Sequence, residues 1–321
     1  MKVSNENYYI NENGILKMEK TTLFFINKEK KVEIPIEKIR NVYFIGSGSC
    51  SNKVLKEFQK RKILLHYFGV NGEYIGTFYP KEHYISGEML IRQVKNCMDE
   101  KERIKLAKLF VLGAMENMKW ICNRFQLGDI TLPDLEQINQ IPQLMQQEGL
   151  IRKIFYSLID RSLPEDFKID KREYNPPSNR GNALLSFLNS LTYSAILSEI
   201  YHTHLHPAIS FLHEPFERRF SLVLDISEIF KPIISERIIL KFAHLKMLDP
   251  IIDFEDQKGV FLSKVGRKKM LQAFDEEINK TIKTRNTNRK VSLRNLIRIE
   301  LYKLEKHFLN IKEYKPLKCW W

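Results

Sequence analysis

A chain of 321 residues, 43% hydrophobic and 28% charged, has room for two domains and a sizeable core, and this composition excludes a disordered or fibrous protein. No window of about 18 uncharged apolar residues occurs, so no transmembrane helix is expected, and the start, MKVSNENYYI, lacks the basic and apolar stretches of a secretory signal. The net charge of +13 favours nucleic acid or an anionic membrane surface as a partner, although lysine-rich proteomes also make basic proteins that bind neither.

Residues 1–85 read as a small sheet domain with one helix. Short apolar runs at Tyr8–Ile10, Ile15–Met18, Thr22–Ile26, Lys31–Ile34 and Asn41–Ile45 are bounded by Asn, Gly and Lys, as strands are. Asn52–Lys62 has helical spacing at Val54, Leu55 and Phe58. Ile63–Phe68 and Tyr74–Phe78 read as two further strands joined by a turn at Val70-Asn71-Gly72. Between them, GSGSCS (Gly46–Ser51) lacks the third glycine of a dinucleotide loop and the GK[ST] ending of a P-loop, so it reads as a strand-to-helix turn with serine capping.

From about residue 86 the period changes to 3.6, and an all-α domain is predicted over 86–321. Helices are expected at Gly87–Asn96, Glu102–Arg124, Pro133–Glu148, Leu150–Asp160 and from Asn179 onward, with a proline-bearing loop over 161–178. The fold class is therefore α+β, a small N-terminal β-sheet domain followed by a larger α-helical one. Cys50, Cys97, Cys122 and Cys319 are scattered without CxxC spacing, as expected for reduced thiols in a cytoplasmic protein.

The stretch FLHEPFERRFSLVLDISEIFKP carries the most chemistry. His213 precedes a short apolar run, and Asp225 and Glu228 follow, three apart and on one face if the segment is helical. Glu148 lies in an earlier helix, with Arg152 and Tyr156 at steps of four on the same face. Hard carboxylates with one imidazole suit Mn²⁺ or Mg²⁺ and work on phosphate. The helix from Asn179 is uncharged between Gly181 and Ser198, with Asn179, Asn182, Ser186, Asn189 and Tyr193 on one stripe. The stripe is either a self-satisfying hydrogen-bond network or a wall of the active site. The run HTHLH (His202, His204, His206) reads as a loop near a helix end. Late in the chain KVGRKK and the cations of residues 280–303, Arg289, Arg294 and Arg298 among them, favour contact with a phosphate backbone. The Trp320-Trp321 end could pack on the core or on a partner.

Taken together, YYINENGILKMEKTTLFFI, FYPKEHYISGEML, EGLIRKIFY, NRGNALLSFLNSLTYSAIL, HPAISFLHEPFERRFSLVLDISEIFKP and GVFLSKVGRKKML resemble the CRISPR-associated endonuclease and integrase of spacer acquisition, the Cas one family, along the whole chain. The resemblance implies a homodimer, with residues 1–85 as the dimerising β domain and 86–321 as the catalytic, DNA-binding domain. It implies Glu148, His213 and Glu228 as ligands of Mn²⁺ or Mg²⁺, with Asp225 as an acidic catalytic residue beside them. Asn182 and Tyr156 fall on polar positions of its motifs and are expected behind the ligands. Candidates for DNA contact are Arg152, Arg219, Arg289, Arg294 and Arg298. The implied partners are double-stranded DNA, both spacer precursor and CRISPR repeat, and the small Cas two protein. The competing reading is a DNA-binding scaffold without chemistry.

Overall fold

The computed structural model describes residues 7–81, 84, 86–173, 176–215, 220–283 and 289–321. Eight strands fill the N-terminal region: β1 (Asn7–Ile10), β2 (Gly14–Glu19), β3 (Thr22–Ile26), β4 (Lys31–Ile34), β5 (Asn41–Ile45), β6 (Gly48–Cys50), β7 (Leu64–Phe68) and β8 (Tyr74–Phe78). They form two four-stranded sheets, ordered β1-β5-β7-β8 and β4-β3-β2-β6. All seven strands expected from the sequence are present. The eighth, β6, lies inside GSGSCS, where it pairs parallel to the start of β2. Ser51 is the N-cap residue of α1 (Asn52–Arg61), but its side chain makes no capping bond, so the expected serine cap is corrected.

Strand alternation decides how the two halves join. Ile10, Val42, Phe44 and Leu65 face Leu16, Leu23 and Phe25 of the other sheet, with Val54 and Phe58 of α1 completing that core. The opposite face of the first sheet, Tyr9, Tyr43, Ile45 and Phe68, belongs to the same core as the helices. β5 is consequently buried along its whole length, as a central strand covered on both faces should be. His66 lies on the helix-facing side, its Nε2 2.9 Å from Ser198 Oγ and its Nδ1 2.7 Å from Thr77 Oγ1.

The second region is mostly helical: α2 (Gly87–Met98), α3 (Glu100–Phe125), α4 (Ile141–Ser162), α5 (Arg180–Tyr201), α6 (Ser221–Phe230), α7 (Arg237–His244), α8 (Lys264–Asn279) and α9 (Leu293–Phe308). Three expectations change. Residues 133–140 are not helical; Pro142 at the start of α4 sets the true beginning of that helix. Gly149 does not interrupt α4, which runs through both segments expected as separate helices. The region is also not all-α, because β9 (Phe254–Asp256) pairs with β10 (Val260–Leu262), and β11 (Thr281–Lys283) with β12 (Lys290–Ser292), both antiparallel.

α5 is long and apolar enough to cross a membrane by length and composition, yet 83% of its hydrophobic window is buried inside the protein. It is the central helix of the core. The terminal tryptophans fold back: Trp321 packs at 5.8 Å from Trp120, and Trp320 donates its indole N–H to Lys283 O. All four cysteines are free thiols.

Candidate active site

Three segments converge beside α5. α4 supplies Glu148, Arg152 and Tyr156, successive turns of one face. α6 supplies Asp225 and Glu228. The chain then passes through Lys231 into a π-helical turn, Pro232–Glu236, before α7. That wider turn begins with Pro232 and carries Glu236 inward, where it is 1% exposed.

The centre of this cluster is the Arg152 guanidinium. Its Nε lies 2.6 Å from Glu148 Oε1, its Nη2 pairs with Glu228 Oε2, and its Nη1 is 3.6 Å from Glu236 Oε1. Lys231 Nζ reaches the other oxygen of Glu228 at 2.6 Å and sits 5.5 Å from the Tyr193 ring centroid. Tyr156 donates its hydroxyl to Glu236 Oε1 at 3.3 Å. Burial alone would push both Glu228 and Glu236 towards the neutral acid. At Glu228 the charges of Lys231 and Arg152 win, and the carboxyl stays below its ordinary value. At Glu236 burial wins over Arg152, and its pKa is raised.

His213 stands on the loop before α6 and is fixed by Asp225. Asp225 is fully buried; its Oδ2 accepts the backbone N–H groups of Phe211 and Leu212, and its Oδ1 accepts that of His213. The same Oδ1 is 2.8 Å from His213 Nδ1. Burial disfavours the imidazolium, but the hydrogen bond and charge of Asp225, with Glu228 adding to them, hold the His213 pKa above its ordinary value. With Nδ1 engaged, Nε2 is the nitrogen left for a metal. The loop is anchored from below. Gln93 Nε2 donates to His206 O and Ile209 O, and Arg103 Nε donates to Phe211 O.

This donor set fits a hard divalent cation: Glu148 and Glu228 approach the same guanidinium from two helices, and one imidazole with a fixed tautomer lies nearby. Among the described residues, no three His, Cys, Asp or Glu side chains meet closely enough to hold an ion as they stand, because Arg152 lies between the two glutamates.

Several sequence-based assignments are corrected by these positions. Arg152 is an internal counter-cation with its side chain 13% exposed, not a DNA-facing one. Asp225 positions His213 rather than facing a substrate, since its oxygens are occupied by the loop. Asn182 lies further out than expected, holding residues 169–173 through Ile169 O, Lys171 O, Glu173 N and Arg172. The Asn179–Ser186 part of the polar stripe is thus a hydrogen-bond network, whereas Tyr193 borders the site. Arg294 is buried near Tyr9 and Tyr43, and Arg298 pairs with Glu199 at 2.6 Å, so neither lies on an open basic face. Arg289 is exposed, with Lys283 and Lys290 exposed nearby. Arg219 lies outside the described residues. His204 bonds Glu305, and His206 Nδ1 accepts from Ala208 N–H, so these two histidines of HTHLH serve the loop. Lys231 and Glu236 were missed. Lys231 was within reach of sequence reasoning at three residues beyond Glu228; Glu236 depends on the π-turn, which carries no 3.6-residue signature.

The chain is similar to known proteins over nearly its whole length. The family described as "CRISPR associated protein Cas1" matches residues 8–276. Two relatives called CRISPR-associated endonuclease Cas1 are 43% identical, from Methanothermobacter thermautotrophicus (100% of this chain, 97% of the relative), and 41% identical, from Methanocaldococcus jannaschii (96% of each). A solved Cas1 protein from Thermotoga maritima superposes with a TM-score of 0.89 at 31% identity, covering 97% of this chain and 99% of its own. Two more distant structures, both 16% identical, share the fold. One is a casposase bound to integration product (TM-score 0.87, 97% and 92% covered), and the other a Cas6-RT-Cas1–Cas2 complex (TM-score 0.81, 100% and 37% covered).

Proposed function

The chain belongs to the Cas1 family of CRISPR-associated proteins, and from that premise we propose that it is a metal-dependent DNA endonuclease and integrase that inserts short DNA fragments into a CRISPR array by phosphoryl transfer. The observation that carries the site assignment is the convergence of Glu148 and Glu228 on one guanidinium, beside a histidine locked by a buried aspartate.

Glu148, Glu228 and Nε2 of His213 are the ligands in this reading, and Mn²⁺ or Mg²⁺ is the ion. When bound, the cation supplies Lewis-acid polarisation of the scissile phosphate and stabilises charge on its oxygens. The two glutamates provide the anionic oxygens. Asp225 holds the imidazole in one tautomer and orientation, so the imidazole itself need not reorganise when the ion arrives. Lys231 and Arg152 keep Glu228 ionised until then. The nucleophile is water in cleavage and the 3′-hydroxyl of a donor duplex in joining.

Family membership supports double-stranded DNA, a second copy of this chain through residues 1–85, and the small Cas2 protein as partners. The likeness to a chain in a Cas1–Cas2 complex also supports Cas2. The DNA substrate and the scattered free thiols support a cytoplasmic location.

The test is joining of a short 3′-hydroxyl duplex to supercoiled plasmid with Mn²⁺ or with EDTA, for the wild type and His213→Ala. Joined product is expected only with metal, and His213→Ala should lower it by at least about a hundredfold at unchanged thermal stability. Full activity in His213→Ala would remove the site assignment.

A further inference from the structure

The Arg152 guanidinium offers more hydrogen bonds than its surroundings use. Nε and Nη2 serve Glu148 and Glu228, yet among the described residues Nη1 is buried with no hydrogen-bond partner. Glu236 Oε2, on the carboxylate 3.6 Å away, is likewise buried without one. An unpaired charged donor beside an unpaired charged acceptor costs free energy that a small side-chain shift would recover. A second arrangement, in which Arg152 leaves the two glutamates and bonds Glu236 directly, would satisfy both atoms. Tyr156, one turn beyond Arg152 on α4, already holds the other oxygen of Glu236 in place. The second cation of the cluster has an alternative too, since Lys231 lies near the face of Tyr193.

We propose that Glu236 is a positioning residue for metal binding, the acceptor onto which Arg152 withdraws when Glu148 and Glu228 take a divalent cation. This rests on the reading of Glu148 and Glu228 as ligands. The exchange leaves every buried charge of the cluster paired once the ion is bound. Before the ion binds, the guanidinium holds two carboxylates that would otherwise repel. After it binds, Glu236 prevents the displaced guanidinium from competing for the ligand oxygens. A Glu236 that served only as a structural counter-ion would affect stability without affecting metal affinity.

The experiment is Mn²⁺ binding to the full chain, read from the loss of the free-ion EPR signal, with melting temperatures measured in parallel. Wild type should bind Mn²⁺ at a site lost in Glu148→Gln. No such site in the wild type would overturn the ligand reading, and this inference with it. Given that site, Glu236→Gln should bind Mn²⁺ about tenfold more weakly, and adding Arg152→Gln should restore the affinity, because the competing cation is gone. Wild-type affinity in Glu236→Gln, or no recovery in the double variant, would overturn the proposal while leaving the ligand reading intact. Should Glu236→Gln fail to fold, Arg152→Gln alone decides: tighter Mn²⁺ binding upholds the exchange, and equal or weaker binding overturns it.

Discussion

Glu300 and Glu228 are both buried glutamates on helices with a lysine three residues on, paired to it at 2.6 Å. Their other partners separate them. Glu300 accepts the Tyr314 hydroxyl at 2.5 Å and the Leu317 backbone N–H at 2.9 Å, so it fastens the C-terminal segment to α9 through donors that have no other place to go. Among the described residues Glu228 meets only side-chain cations, Lys231 and Arg152, and each of these has an alternative resting place. A carboxylate held by backbone and phenol is a structural tie. One held by exchangeable cations can accept a different cation. The same contrast exists within the site, where Asp225, held by three backbone N–H groups, positions, and Glu228, which has none, is free to ligate.

The sharpest way to break this comparison is Glu300→Ala. It strands the Tyr314 hydroxyl and the Leu317 N–H, and should cost about 3–5 kcal/mol in denaturant unfolding, while the folded fraction binds Mn²⁺ as the wild type does. Loss of Mn²⁺ binding without loss of stability would erase the distinction. Arg298→Ala is expected to behave as the same class. It removes one partner of Glu199, whose side chain is 4% exposed, so stability should fall by up to about 3 kcal/mol, with the salt dependence of DNA binding unchanged.

His66 extends the comparison to pH. It is paired at both nitrogens, and burial pushes its pKa down to about 3 from 6.5. The folded state therefore keeps it neutral while the unfolded chain takes up a proton below its ordinary value. Its contribution is complete above 6.5 and is lost as pH falls from 6.5 towards about 3, with a slope of up to about 1.4 kcal/mol per pH unit. Unfolding free energies of wild type and His66→Gln across that window should converge as the pH drops; parallel curves would mean that His66 is not neutral in the fold. The smallest effect is expected for exposed Arg289. Arg289→Ala should leave stability unchanged and, if it contacts a phosphate, reduce the slope of log affinity against log salt by about one.

Much of this was legible locally. The strands of the first 85 residues carry period-2 alternation and turn residues, and both signals are contained within a few positions. The spacing of Asp225 and Glu228 was equally readable, as was the shared face of Glu148, Arg152 and Tyr156. The short hairpins at 254–262 and 281–292 were not, because strands of three residues are too brief for a period to emerge. The extra helix expected at Pro133 came from composition that a loop packed on the core shares.

The sequence by itself determined the longer strands and helices, the family and the residues available for chemistry, since these depend on local pattern and on motifs in order. Only the tertiary structure decided what each charge does. Arg298 reads as a basic-face cation until its counter-ion, 99 residues away, is in contact. Arg152 reads as a DNA contact until α6 and the π-turn bring Glu228 and Glu236 against it. Charge is a property of a residue, but its energy depends on burial and on partners delivered by other helices, and those are set by packing.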